Sequence, residues 1–413
     1  MHLPPVGHVA VATGVDKHTS LRLYTLTLCV FAIGVAEFLL VGLLPKVASG
    51  VGVSVSEAGS LVTAYALAIA IGSPLLIVAV GRFDTRWALV GLMGLVSVGN
   101  LVVGLSPAFG GLLVGRIASG AAHGAVVAIG ASVAASLVRG EREGRAVATV
   151  LLGLTAAMVL GVPVGNALGA AIGWRGTFLV VAGVGFIGLL AVLAWIPSMP
   201  AKDHVTGLRT QLDALRNGPL LVSYAVTALS FGASFAVFPY LTPLLHEHAG
   251  FGTTQITWLL VLFGGATVVG NLAGGRLSDR LGTLRTTSIG LLGVTVSLVA
   301  LTLTADNPFG VSVNLAVWGF FAFMIAPAVQ TSVMRVAESY GGELVKVAGG
   351  LNVSAFNVGI ALASYAGALV LGSFDVIRTP WVGIAFAVAG FGVIAVTRAS
   401  RAHVRSETLP ESV

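Results

Sequence analysis

Residues 23–44 read LYTLTLCVFAIGVAEFLLVGLL. A helix of about 20 apolar residues crosses the hydrocarbon core of a bilayer. This run is long enough to do so, and eleven similar runs follow it. They are continuous rather than alternating, so they read as helices and not as strands of a barrel. The expected spans are 22–44, 57–80, 88–106, 108–137, 146–170 and 176–196, then 218–245, 253–275, 286–305, 309–336, 347–372 and 380–398. Composition agrees. Only 9% of the 413 residues are charged and 56% are hydrophobic, whereas soluble domains carry about 25% charge. Most of the surface must therefore face lipid. The 55 glycines suit close helix packing in a membrane.

The longest polar segment between runs lies after the sixth. The expected organisation is an N-terminal tail (1–21), a six-helix bundle (22–196), a linker (197–217), a second six-helix bundle (218–398) and a C-terminal tail (399–413). The formal charge is +6, but the basic residues sit in short loops rather than in a nucleic-acid-binding patch. One side of the membrane receives the N-terminal tail, Arg82, Arg86, Arg139, Arg142, Arg145, the linker, Arg276, Arg280, Arg285, Arg335, Lys346 and the C-terminal tail. The other receives Lys46, Arg175 and Arg378. The positive-inside rule then predicts both termini in the cytoplasm, which an even number of spans requires. Cys29 is the single cysteine, so an intrachain disulfide or a thiolate metal site is excluded.

The two halves read as a repeat. Pro45 and Pro243 stand 198 positions apart, as do Gly34 and Gly232, Gly72 and Gly270, and Gly161 and Gly359. Parallel six-helix repeats with a substrate site between them are a known transporter plan. The fold expected is all-α and integral to the membrane, with twelve transmembrane helices in two pseudo-symmetric bundles.

Glu37 breaks the first run near its middle. An ionisable group at membrane depth costs several kcal/mol and marks a candidate site. The repeat places Phe235 opposite it, so the acid belongs to the first half alone. Arg116 and His123 are the other ionisable residues well inside spans. They lie seven positions apart, on nearly one face of the fourth run. A histidine there can titrate near neutral pH.

Four motifs resemble the major facilitator superfamily, and within it the twelve-span drug:proton antiporters of the arabinose-efflux and chloramphenicol-resistance type. The resemblance covers roughly residues 20–398. It rests on EFLLVGLLP (Glu37 to Pro45), GRIASGAAHG (Gly115 to Gly124), GLTAAMVLGVPVGN (Gly153 to Asn166) and GGRLSDRLGTLR (Gly274 to Arg285). The third motif departs from the antiporter pattern: Val162 separates Gly161 from Pro163, and Asn166 replaces a glycine after Gly165. The first-half copy of the fourth is degenerate, GRFDTRW, keeping Asp84 and Arg86.

The resemblance implies a proton-coupled exporter of small amphipathic compounds, such as drugs or sugar- or nucleoside-like metabolites, working by rocker-switch alternating access. It implies a monomer in a bacterial inner membrane, driven by the proton gradient without a cofactor. Glu37 would carry the proton, with Arg116 and His123 tuning it. Conformational change would involve Gly161, Pro163, Gly165, Gly274, Gly275, Asp279, Arg280, Gly282, Arg285, Asp84 and Arg86. Candidate cavity residues are Tyr65, Asn100, Tyr240, Asn271, Trp318, Gln330, Asn352 and Asn357, polar or amphipathic side chains within spans. An importing symporter would use the same acid. No Walker A motif, nucleophile elbow or second mid-span carboxylate points to an enzyme.

Overall fold

A computed structural model describes residues 17–138, 140–200 and 207–407. Most of the expected N-terminal tail, Arg139, six residues of the linker and the last six residues lie outside the described residues.

Twelve helices are long and apolar enough to cross a membrane, and among the described residues there is no strand. They are span 1 (Lys17–Val51), span 2 (Val55–Val80), span 3 (Thr85–Leu105), span 4 (Phe109–Ser136), span 5 (Glu143–Ala171) and span 6 (Gly173–Trp195). The second half has span 7 (Gly218–Glu247), span 8 (Thr253–Leu281), span 9 (Thr283–Thr304), span 10 (Pro308–Glu338), span 11 (Val347–Ser373) and span 12 (Val376–Arg398). Lipid offers no hydrogen bonds, so each apolar segment satisfies its backbone internally as helix. An even number of crossings brings both termini to one end of the bundle.

Several boundaries differ from expectation, among them the end of span 8, which runs past 275 to Leu281. Span 1 begins inside the expected tail, at Lys17. The last helix continues through Arg398 to Glu407. The linker forms a nine-residue helix, Leu208–Arg216, too short to register as a span. Two local irregularities were also not legible. Span 2 makes a π-helical turn at Ala68–Gly72, just before Pro74, which has no N–H to donate. Span 7 tightens to a 3₁₀ turn around Pro239.

The packing repeats. Span 1 crosses spans 5 and 6 as span 7 crosses spans 11 and 12. Spans 2 and 4 pair as do 8 and 10, and span 3 lies on 4 and 6 as span 9 lies on 10 and 12. The halves meet where span 2 packs on span 11 and span 5 on span 8. Repeat-related glycines occupy matching crossings. Gly72 faces Ala121 in span 4 and Gly270 faces Phe320 in span 10, while Gly34 meets span 5 and Gly232 meets Phe386 of span 12 and the Gly359 carbonyl of span 11. Small residues let backbones approach where no hydrophobic effect between helices drives packing.

The core is continuous at the end away from the termini and divided at the other. One cluster joins Leu43, Leu44 and Leu61 to Tyr240, Leu244 and Leu260 across both halves. Toward the termini, Leu26, Met93 and Val126 pack in the first half, and Leu220, Val333 and Leu351 form a separate cluster in the second. Hydrogen bonds seam the distal end. Ser56 donates to the Ala368 carbonyl at 2.6 Å and Thr242 to Val41 at 3.0 Å, while the Thr63 and Ser364 hydroxyls lie 3.1 Å apart. The Asn166 amide donates to the Thr253 carbonyl at 3.1 Å and to the Thr257 hydroxyl at 2.8 Å.

Candidate proton and substrate site

The three side chains named from the cost of charge in lipid converge, and one cavity candidate, Tyr65, joins them. Span 1 supplies Glu37, span 2 Tyr65, and span 4 both Arg116 and His123. Gly120, one turn from Arg116, makes this possible. A Cβ there would stand 2.6 Å from the Tyr65 carbonyl oxygen, so only glycine lets span 4 close on span 2. His123 Nε2 stands 3.7 Å from a Glu37 carboxylate oxygen. Its Nδ1 lies 3.1 Å from the Tyr65 hydroxyl.

Arg116 is 1% exposed, not at an interface with its head in water. Its guanidinium donates to the Ala36 carbonyl and, at 3.5 Å, to that of Leu61. The Tyr65 ring lies 3.8 Å from its carbon centre. A desolvated cation over an aromatic face gains about 2 kcal/mol. The buried charge is thus held by two backbone carbonyls and a ring, beside the peptide unit that precedes Glu37. Glu37 keeps 13% side-chain exposure.

That exposure opens on a narrow pocket between the halves. Glu37, Phe38, Tyr65 and Arg116 line one side, and Phe235, Pro239 and Ile360 the other. The repeat-mate of the acid is therefore its neighbour across the seam. A second narrow pocket shares Phe38 and is lined by Met158, Val162, Phe238, Leu260, Phe263 and Phe323. Phe238 and Phe263 stack at 5.0 Å and both meet Trp318 edge-on. These phenylalanines were not picked out as cavity residues. Phe231, Phe235 and Phe238 crowd one stretch of span 7, and in a chain only 8% aromatic that was the available signal.

The other cavity candidates disperse. Tyr240 is fully buried at the distal seam, donating to the Ser364 carbonyl at 2.7 Å and touching Gly59. Trp318 donates to Ser234 at 3.1 Å. Thr227, Asn352 and Gln330 form a chain with 2.7 Å links across spans 7, 11 and 10. Asn357 donates to Val353 in its own helix, leaving a buried carbonyl oxygen without a protein partner. Asn100 lies between spans 3 and 4, bonded to Val96 and Ser119. Asn271 is exposed on span 8.

Gly161, Pro163 and Gly165 press span 5 onto the turn that carries Glu37. Cβ atoms at the two glycines would meet Val35 and Leu39. Gly274 lies against the Met324 backbone and Gly275 is open. Gly282, at φ +84°, alone links spans 8 and 9, a conformation that favours glycine. Asp279, Arg280 and Arg285 are exposed, and among the described residues they make no ion pair. Asp84 caps span 3 through the Arg86 N–H and accepts from Ser198, while Arg86 donates to Leu193. Both thereby tie span 3 to the end of span 6, within the first half.

Comparison with known proteins adds the family. The sequence model of the Major Facilitator Superfamily matches residues 26–364. The uncharacterized MFS-type transporter YtbD of Bacillus subtilis (strain 168) is 35% identical over 90% of this chain and 93% of its own. A chloramphenicol resistance protein of Streptomyces lividans is 35% identical over 85% of this chain and 89% of its own. The crystal structure of the nucleoside transporter NupG superposes with a TM-score of 0.75 at 13% identity, covering 91% of this chain and 99% of that one.

Proposed function

The chain belongs to the Major Facilitator Superfamily, a multi-pass membrane transporter and not an enzyme, and from that premise we propose that it is a proton-coupled antiporter. It exports small amphipathic compounds across a bacterial inner membrane by alternating access. The observation that carries this reading is the placement of Glu37, backed by His123, Tyr65 and Arg116, on a pocket between the halves. The similarity to a chloramphenicol resistance protein supports the export direction.

A single acid facing an aromatic wall can hold either a proton or a polar group of the substrate. Tyr65 and Nδ1 of His123 share one hydrogen bond, and its direction sets which ring nitrogen of the neutral imidazole carries the proton and so what Nε2 presents to Glu37. Substrate binding from the terminal side favours a deprotonated Glu37. After the halves rock, a proton from the far side neutralises the acid and substrate leaves. Arg116 keeps a fixed positive charge through the cycle, so the site alternates by one unit. The membrane potential contributes about 2.3 kcal/mol per charge per 100 mV.

The test is Glu37→Gln in proteoliposomes with an imposed pH gradient. Gradient-driven efflux is expected to vanish while substrate binding persists. Full gradient-driven efflux by this variant would remove Glu37 as the carrier. Wild-type substrate moving with protons, rather than against them, would replace antiport by symport.

A further inference from the structure

The helix Leu208–Arg216 (LRTQLDALR) is turned the opposite way from a helix on a water-facing loop. Gln211 and Ala214 are the buried side chains, whereas Leu208, Leu212 and Leu215 are 47%, 44% and 42% exposed. The leucines fall at i, i+4 and i+7, so they form one stripe. Arg209 and Arg216, also seven apart, line one border of that stripe. Asp213 lies beyond them, farther from the leucines. Ala214 is anchored among Leu220, Tyr224, Val333, Ala337, Val347 and Leu351 of the second half.

Position decides what covers the leucines. Asn217 alone separates this helix from Gly218, where span 7 begins. The stripe therefore lies at the membrane surface on the side of the termini. We propose that Leu208–Arg216 is an interfacial helix whose leucines enter the acyl region of that leaflet and whose Arg209 and Arg216 hold anionic lipid phosphates. A leucine face bordered by arginines is the chemistry such a surface selects. A carboxylate placed past the arginines avoids the same phosphates. Anchored through Ala214, the helix ties the second half to one leaflet.

The full chain, with Cys29→Ser to remove the native thiol, is labelled with a nitroxide at Leu212→Cys or, separately, at Asp213→Cys. Each is reconstituted into vesicles of phosphatidylcholine with phosphatidylglycerol. Collisions with oxygen, concentrated in lipid, are expected to dominate at position 212. Collisions with a water-soluble nickel chelate are expected to dominate at 213. Equal access of the chelate to both positions overturns the proposal. Hydrogen exchange across 208–216 tests the phosphate contacts. Protection is expected to fall roughly five-fold for each of Arg209→Gln and Arg216→Gln, and to weaken in phosphatidylcholine alone. Protection indifferent to both the arginines and the anionic lipid overturns phosphate recognition.

Discussion

Tyr65 serves its neighbours with two different parts of one side chain. The ring supports the Arg116 guanidinium, and the hydroxyl contacts His123 Nδ1 and the Ile33 carbonyl. Tyr65→Phe separates these roles. The cation keeps its ring, and the loss of the hydroxyl's two neutral hydrogen bonds costs about 1 kcal/mol each. His123 loses the partner that fixes its tautomer. The expected outcome is a displaced pH profile of transport with a thermal midpoint lowered by only a few degrees. An unchanged profile would mean that His123 plays no part in proton movement. Glu37, Arg116 and His123 were legible in sequence because charge at membrane depth is expensive wherever it points. Tyr65 was legible only as one of eight cavity candidates, and Asn100 and Asn271 read the same way. Sequence gives the depth of a polar residue in a span but not the neighbour it meets.

At the scale of elements, the repeat predicts equivalence and the structure limits it. Gly161 and Gly359 correspond, each at the crossing with the first helix of its half. A Cβ at Gly161 would make ordinary contact with Val35 and Phe38, whereas at Gly359 it would run into the Ala228 carbonyl. Gly161→Ala is expected to leave thermal stability nearly unchanged. Gly359→Ala should cost roughly 1–3 kcal/mol by overpacking, visible as a lower melting temperature in detergent. Equal midpoints for the two variants would show that the crossings relax alike. The spans themselves were readable because length and hydropathy define them. The linker helix was not, since nine residues cannot cross a membrane and its leucines face away from the protein.

Loop contacts at the distal end add a pH response. His248, after span 7, has its ring nitrogens 2.9 Å from Asp306 and 2.8 Å from Asp375. Burial alone would lower its pKa, but the two carboxylates outweigh it and hold the value above the ordinary histidine range. Protonated His248 therefore favours the folded state. Its contribution is complete below the ordinary histidine pKa and is lost as pH rises through the raised value. Thermal midpoints should fall across that window in the wild type and stay flatter in His248→Gln. Identical slopes would show that the clamp contributes nothing.

Across the whole molecule, the continuous core and the seam close the end away from the termini, while the terminal end is packed as two separate cores. Asn166, which stands where the antiporter pattern has glycine, reaches from span 5 to span 8. It read in sequence as a weakened motif, because its partners lie on a helix of the other half. Asn166→Ala removes two hydrogen bonds, worth about 1 kcal/mol each. It is expected to raise the population open at the distal end, by roughly five-fold for each bond. Distances between fluorophores flanking spans 5 and 8 would report it, and an unaltered distribution would remove Asn166 from the gate.

The seam is built of hydroxyls, one amide and backbone carbonyls, and among the described residues none of the bonds that cross it carries charge. Each of these groups finds in water nearly what it gives up across the seam. Opening the distal end is then an exchange of partners more than a rupture. The two arrangements can lie close in free energy, so an event as small as one proton arriving at Glu37 is enough to choose between them.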